Sequence, residues 1–280
     1  FNNEDVLKKL PGNYAIGHNR YSTTGGTTLR NVQPFYADTN AGGIAVSHNG
    51  NLTNAITLRT KMVENGSIFY TTSDTETIVK LIAKSKRSNT IDKIVDTLFQ
   101  IQGGYSLVMI AQNTLIGVRD PFGIRPLVIG KLKNSYVFTS ETCALDIIGA
   151  KFLREVENGE IVYIENDELK SLKPFPMRKK RPCVFEYIYF SRPDSLIDGI
   201  SAYEYRKKLG AELSKEDNIP SLPSIISLEI SSFCFFFLSI ALSKFLFEYE
   251  LFLNGEVLSL FLFSFSISFA SILSELLEGE

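Results

Sequence analysis

The stretch GGIAVSHNGNLTN, residues 42–54, passes from an apolar run into a polar one, and its interpretation decides the fold. Gly42 to His48 has the length and composition of a short buried strand. Asn49-Gly50 then supplies two residues that tolerate positive φ, which predicts a tight turn. The question is whether this pair only turns the chain or also directs amide donors at a ligand.

Three helices are predicted after this stretch. The first covers residues 53–64 and ends at Asn65-Gly66, a pair typical of a helix C-terminus. The second begins at Ser73-Asp74-Thr75-Glu76, where a serine and a glutamate three residues apart form a capping-box pattern. The third covers residues 91–102 and is closed by Gly103-Gly104.

Five strand-like segments follow, separated by short polar turns. They are YSLVMIA (105–111), TLIGV (114–118), PLVIG (126–130), YVFTS (136–140) and EIVYIEN (160–166). Short turns imply antiparallel pairing, so these segments predict a meander with helices packed outside it. The fold class is therefore α+β.

The bulk composition excludes some functions and permits an enzyme. A chain of 280 residues is long enough to bury a sizeable core, and its net charge of −2 argues against a nucleic-acid partner. The three cysteines, Cys143, Cys183 and Cys234, have no CxxC spacing. They offer neither a disulfide framework nor a self-contained zinc site, which indicates a cytoplasmic protein.

Four residues together suit the cleavage of an amino-acid side-chain amide. Arg20, in the glycine-rich GHNRYSTTGG (17–26), is suited to gripping a carboxylate, and Asp74 to binding an ammonium group. The Asn49 amide and the Gly50 N–H are candidate donors to an oxyanion. Taken singly, Arg20 also fits a surface loop, and Asp74 also fits a helix cap.

Six peptides carry a resemblance to a known family. GHNRYSTTG, HNGNLTN, TSDTE, RDPFGIRPL, SETCALD and FEYIYFSRPDS occur in this order over roughly residues 11–220. The chain resembles the glutamine amidotransferase region of the amidophosphoribosyltransferase family. This resemblance implies a class II, N-terminal-nucleophile (Ntn) glutaminase with a four-layer αββα sandwich of antiparallel sheets, followed by an α/β phosphoribosyltransferase domain.

The resemblance also implies a role for each candidate residue. Arg20 binds the α-carboxylate of glutamine, Asp74 binds its α-amino group, and Asn49 and Gly50 form the oxyanion hole. Ammonia released from glutamine then reacts with phosphoribosyl pyrophosphate to give phosphoribosylamine, the first step of de novo purine synthesis. In RDPFGIRPL we expect Arg119, Asp120 and Arg125 to have no catalytic role and to serve as structural ion-pair residues.

The expected organisation has three parts. Residues 1–180 correspond to the glutaminase domain without its N-terminal strand, and residues 181–220 to the start of the phosphoribosyltransferase domain. Residues 221–280 depart from the family, since 43 of these 60 are Phe, Leu, Ile or Ser and only Lys244 is basic. We favour translation from a wrong reading frame for this tail. A membrane anchor at residues 257–274 and a soluble segment remain alternatives.

The family's nucleophile is an N-terminal cysteine, whereas this sequence begins at Phe1. We therefore expect this chain alone to be inactive, and Cys143 to be a small buried side chain. Cys183 matches the position of the first iron–sulfur ligand in cluster-bearing members, but one cysteine cannot hold a cluster. Magnesium is expected for the transferase domain.

Two other functions remain open at this point. One is the glutaminase domain of another class II amidotransferase, such as an aminosugar synthase, against which RDPFGIRPL and FEYIYFSRPDS argue. The other is a non-catalytic glutamine-binding protein. The expected partners are glutamine and, in the full-length enzyme, phosphoribosyl pyrophosphate; we also expect a homo-oligomer that binds neither nucleic acid nor membrane.

Overall fold

The computed structural model describes residues 8–9, 12–19, 28–40 and 42–216, and within these ranges the chain combines antiparallel strands with helices. The strands are β1 (Phe35–Thr39), β2 (Gly42–Leu52), β3 (Gly103–Ala111), β4 (Thr114–Arg119), β5 (Val128–Leu132), β6 (Ser135–Thr139), β7 (Lys151–Glu155), β8 (Ile161–Glu165), β9 (Glu168–Leu172), β10 (Leu196–Ile197) and β11 (Ile200–Ser201).

Five α-helices accompany these strands in the described residues. They are α1 (Ala55–Glu64), α2 (Thr75–Lys84), α3 (Thr90–Leu98), α4 (Thr142–Ile148) and α5 (Ala202–Glu216). A 3₁₀ helix (Leu29–Asn31) precedes β1, and a short π-helix (Glu186–Phe190) precedes β10. The chain divides into two units, Phe1–Lys208 and Leu209–Glu280, and of the second unit only the end of α5 is described.

The strands form two main sheets. The larger has the order β1-β2-β3-β4-β8-β9, and the smaller has the order β6-β5-β7. The pairs β1–β2, β2–β3, β3–β4, β4–β8, β5–β6, β5–β7 and β8–β9 are all antiparallel. From the turn lengths alone, the segments at 126–130 and 136–140 were predicted to continue a single meander. They instead belong to the second sheet.

The alternation of side chains between the two faces of a strand shows how the layers stack. Leu107 and Met109 of β3 join a buried cluster with residues of α1, α2 and α3, while Val108 packs against a second cluster. Successive strand side chains point to opposite faces. Helices α1–α3 therefore cover one face of the six-stranded sheet, and the second cluster lies on its other face.

The second cluster joins the two sheets, because it combines Val162 of β8 with Leu127 and Ile129 at β5. A third cluster packs Val128 of β5 against Leu145 of α4. The layers thus run helix, sheet, sheet, helix. This confirms the αββα sandwich that the resemblance implied.

Asn49-Gly50 does not form the predicted tight turn. Strand β2 continues through the pair to Leu52, with Gly50 opposite Tyr105 and Leu52 opposite Gly103. Gly50 has φ 147°, and a Cβ there would lie 2.1 Å from the Gly104 carbonyl oxygen. Glycine is needed here because the two strand backbones approach too closely for any side chain.

The third predicted helix is shorter than the sequence indicated. Helix α3 ends at Leu98 instead of residue 102. The Gln102 N–H donates to the Asn54 side chain at 2.9 Å, and the Gln102 carbonyl accepts from the Thr53 N–H at 2.8 Å. These bonds hold residue 102 beside the start of α1. Gly103 therefore begins β3 and does not close a helix.

Candidate active site

The site is built around the end of β2, where Asn49 and Gly50 are half-buried. His48 and Leu52, which flank them in the same strand, both contact Asp74 at the start of α2. The Leu52 N–H donates to Asp74 Oδ2 at 3.0 Å, and His48 Nδ1 lies 3.5 Å from Asp74 Oδ1. The fold thus brings three of the four predicted site residues to one end of one strand.

The Asp74 carboxylate is buried but remains an anion. Burial by itself would raise its pKa, but hydrogen bonding and charge interaction with His48, and the N–H groups of Leu52 and Thr75, lower the pKa below its usual value. A carboxylate has about four lone-pair directions, so these bonds leave room for one more donor. An ammonium group would fit this requirement in both charge and hydrogen bonding.

The capping-box prediction at residues 73–76 is wrong. Asp74 occupies the N-cap position without a side-chain capping bond. Glu76 instead accepts from the N–H groups of Tyr70 and Thr71 and from the Thr71 hydroxyl, at 2.8–3.2 Å. Because those groups occupy its oxygens, Glu76 fixes the loop before the helix and leaves the Asp74 carboxylate to face β2.

The Asn49 side chain is held by an arginine that is remote in sequence. Arg125 Nε and Nη2 donate to Asn49 Oδ1 at 3.1 and 2.6 Å. The other end of the amide, Nδ2, donates to the exposed Ser140 hydroxyl at 3.3 Å. The carbonyl of this amide is therefore turned into the protein, and its NH₂ group is turned toward the accessible side.

Arg125 belongs to the loop between β4 and β5, which is organised by one buried carboxylate. Asp120 accepts from the N–H groups of Phe122, Ile124 and Arg125 at 2.8–3.2 Å. Burial raises the pKa of Asp120, although these bonds favour its charged form. The neighbouring Arg119 is also buried, and its Nε donates to the Arg125 carbonyl at 2.9 Å.

Glu186 anchors the guanidinium of Arg125 from the other side. Arg125 Nη1 lies 2.8 Å from Glu186 Oε1, and the guanidinium carbon lies 5.0 Å from the centre of the Phe190 ring. Burial raises the pKa of Glu186, and the charge of Arg125 opposes that rise. A chain of contacts thus runs from Asn49 through Arg125 to the FEYIYFSRPDS segment.

The two remaining predicted site residues are Arg20 and Cys183. Arg20 lies outside the described residues, as do Cys234 and the tail at 221–280. The Cys183 N–H donates to the Ile124 carbonyl at 3.0 Å. Within the described ranges no three His, Cys, Asp or Glu side chains form a group able to hold a metal ion.

Two further observations concern alternatives raised by the sequence. Cys143 is 3% exposed at the start of α4, and burial raises the pKa of its thiol, which suits a packing residue. None of the helices that the structure describes is both long and apolar enough to cross a bilayer. The candidate anchor at 257–274 lies outside those residues.

Comparison with known proteins agrees with this geometry. Residues 18–146 match the glutamine amidotransferase domain model. An amidophosphoribosyltransferase of Rhizobium etli is 48% identical over 224 residues, covering 78% of this chain and 45% of its own length. Amidophosphoribosyltransferase 1, chloroplastic, of Arabidopsis thaliana is 49% identical over 218 residues, covering 78% and 38%. The chain carries a glutamine amidotransferase domain similar to that of these amidophosphoribosyltransferases.

The likeness extends to three dimensions. The solved glutamine phosphoribosylpyrophosphate amidotransferase of Bacillus subtilis, in complex with ADP and GMP, superposes with a TM-score of 0.69 at 39% identity. The match covers 77% of this chain and 48% of that one. The glutamine amidotransferase domain therefore has the Ntn-hydrolase fold, and the chain spans less than half the length of these relatives.

Sequence reasoning missed two residues of the site. His48 stands in the opening stretch, and a histidine at the end of an apolar strand was a signal that it contacts a charged partner. Arg125 stands in RDPFGIRPL, where an ion-pair role was expected; it does pair with Glu186, but its contact with Asn49 was not foreseen. Its contact with Asn49 joins positions 76 residues apart, which sequence spacing does not reveal.

Proposed function

We propose that this chain forms the glutamine-hydrolysing part of an amidophosphoribosyltransferase. In this proposal the domain releases ammonia from the side chain of glutamine, and the complete protein transfers that ammonia to phosphoribosyl pyrophosphate. The observation that carries the proposal is the placement of Asn49, Gly50 and the Asp74 carboxylate at one end of β2. A nucleophilic cysteine ahead of Phe1 is part of the same proposal.

Each site residue has a defined task in this reaction. The buried Asp74 carboxylate binds the α-ammonium group of glutamine, while Arg20 grips the α-carboxylate. Attack on the side-chain amide places negative charge on its oxygen, and donors directed at that oxygen stabilise the transition state. The outward-facing Asn49 NH₂ group and the Gly50 N–H are the proposed donors.

The proposal extends to the assembly as a whole. Residues 1–180 form the glutaminase domain, and residues 181–220 lead into the phosphoribosyltransferase domain. Magnesium is proposed for that second domain. A homo-oligomer in the cytoplasm, acting on glutamine and phosphoribosyl pyrophosphate, completes the proposal.

The test uses the protein expressed from its complete gene. Wild-type protein is expected to release ammonia from glutamine and to form phosphoribosylamine when phosphoribosyl pyrophosphate is supplied. Asp74→Asn should raise the KM for glutamine about 10- to 100-fold, because it removes a charge-assisted bond to the ammonium group.

The matched control is Asp146→Asn, which makes the same change at an exposed position of α4. It is expected to leave the KM for glutamine unchanged. If the wild-type protein binds glutamine by calorimetry but releases no ammonia, the catalytic proposal is wrong and a glutamine-binding protein remains. If glutamine supports neither binding nor turnover, the site assignment itself fails.

A further inference from the structure

We infer that Arg125 is a positioning residue for the oxyanion hole, acting through the side chain of Asn49. This inference rests on the proposed glutaminase function and deepens it. Arg125 was expected from sequence to be structural only, and its guanidinium would not touch glutamine. Its role would be to decide which end of the Asn49 amide faces the substrate.

The chemistry of the two side chains fixes the orientation of the amide. A guanidinium carries only donors, so an amide that bonds to it must present its oxygen. Two donors of Arg125 reach Asn49 Oδ1, at 3.1 and 2.6 Å. An asparagine without such a partner can present either end, and an outward-facing oxygen would repel the developing oxyanion.

Arg125 is itself held firmly enough to impose this choice. Its third guanidinium nitrogen lies 2.8 Å from Glu186, whose side chain is 6% exposed, and its plane lies near the Phe190 ring. Its N–H and carbonyl bond to the buried residues Asp120 and Arg119. The arginine is thus fixed along its backbone and at its charged end before any ligand arrives.

The positive guanidinium of Arg125 beside the Asn49 amide oxygen has a second effect. Hydrogen bonds in series polarise one another, so donation to Asn49 Oδ1 strengthens donation from Asn49 Nδ2. That NH₂ group faces Ser140, an exposed hydroxyl that a bound substrate could replace. Arg125 would therefore supply both the direction and part of the strength of the oxyanion contact.

A double-mutant cycle in the protein expressed from its complete gene tests this coupling. Asn49→Ala is expected to lower kcat for glutamine hydrolysis about 100- to 1000-fold, as for loss of an oxyanion donor. Arg125→Met should lower kcat about tenfold or more, with little change in KM. In the Asn49→Ala background, Arg125→Met should have less than about a twofold further effect, because its route of action is gone.

Arg154→Met is the matched control for the loss of an ion-paired arginine. Arg154 pairs with Glu160 at 2.8 Å and belongs to β7, in the smaller sheet. It should lower the melting temperature without changing kcat. If Arg125→Met fails to fold, Arg125→Lys replaces it in the cycle, since a lysine keeps the charge opposite Glu186 but lacks the two-pronged contact.

The outcomes separate the inference from the function on which it rests. Suppose that the wild type is active and that Arg125→Met lowers kcat equally in the wild-type and Asn49→Ala backgrounds. Arg125 would then have a general structural role, and the inference alone would be overturned. A change in KM without a change in kcat would do the same. A wild type that releases no ammonia would overturn the proposed function first, and the inference with it.

Discussion

At the scale of single residues, Gly50 is the position where sequence and geometry are most tightly linked. A Cβ at Gly50 would lie 2.1 Å from one backbone atom of β3 and 2.8 Å from another. Gly50→Ala is therefore expected to destabilise the domain by about 3 kcal/mol or more, since neither strand can move without breaking the sheet. Urea unfolding followed by circular dichroism measures this change.

Gly66→Ala is the control for Gly50→Ala. Gly66 also has a positive φ, 80°, but a Cβ there would meet nothing within 4 Å. Its replacement should cost about 1–2 kcal/mol, the cost of backbone strain alone. Equal losses at the two positions would show that close approach of the strands is not what requires Gly50.

The residue scale also shows what the sequence could reveal of the site. Asn49, Gly50 and Asp74 could be predicted as site residues from the short peptides HNGNLTN and TSDTE alone. His48 and Arg125 act through partners far away in the chain, Asp74 and Asn49 respectively. Their roles depend on which strands pair, and that is decided by the sheet as a whole.

At the scale of elements, the loop from Arg119 to Leu127 depends on Asp120. Its carboxylate accepts several backbone N–H groups, so Asp120→Asn would place an NH₂ donor against other donors. The expected loss is about 2–3 kcal/mol, or about 5–10 °C in Tm for a domain of this size. Thermal unfolding gives the stability, and a parallel fall in kcat is expected because Arg125 lies in the same loop.

Asp194→Asn serves as the comparison for this loop variant. Asp194 is exposed and pairs only locally with Arg192, at 2.8 Å. Little change in Tm is expected there, because an exposed ion pair contributes little. A Tm for Asp120→Asn as high as that of Asp194→Asn would mean that the loop holds its shape without the buried carboxylate.

Periodicity predicted the existence of most elements better than their ends. The helix ending at Asn65-Gly66 was predicted correctly, because that boundary is local. Helix α3 was predicted too long, since the bonds of Gln102 to Thr53 and Asn54 come from another part of the chain. The division into two sheets likewise came from the family resemblance and not from turn lengths.

At the scale of the whole molecule, buried carboxylates set the response to pH. The bonds made by Asp74, Glu76 and Glu160 outweigh the effect of burial, and their pKa values are lowered. Their stabilising contributions are present above about pH 4, where unfolded carboxyl groups titrate, and are lost as the pH falls through the folded-state values. Asp120 and Glu186 have raised pKa values, so their contributions fall as the pH rises.

The first group predicts a steep loss of stability on acidification below about pH 4. Urea midpoints measured at a series of pH values should show this fall. Glu160→Gln should make it shallower, because the variant no longer has a carboxylate that Arg154, Ser171 and the Glu157 N–H hold ionised. If the urea midpoints of the wild type and the variant fall identically as the pH is lowered, the prediction is contradicted.

The insertion of the smaller sheet between β4 and β8 also has a consequence for synthesis of the chain on the ribosome. Strand β4 ends at Arg119, but its partner β8 begins only at Ile161. At 5–20 residues per second, the roughly 40 intervening residues take about 2–8 s to translate. For that time one edge of β4 has no partner, and a nascent chain at this stage is expected to be a chaperone substrate.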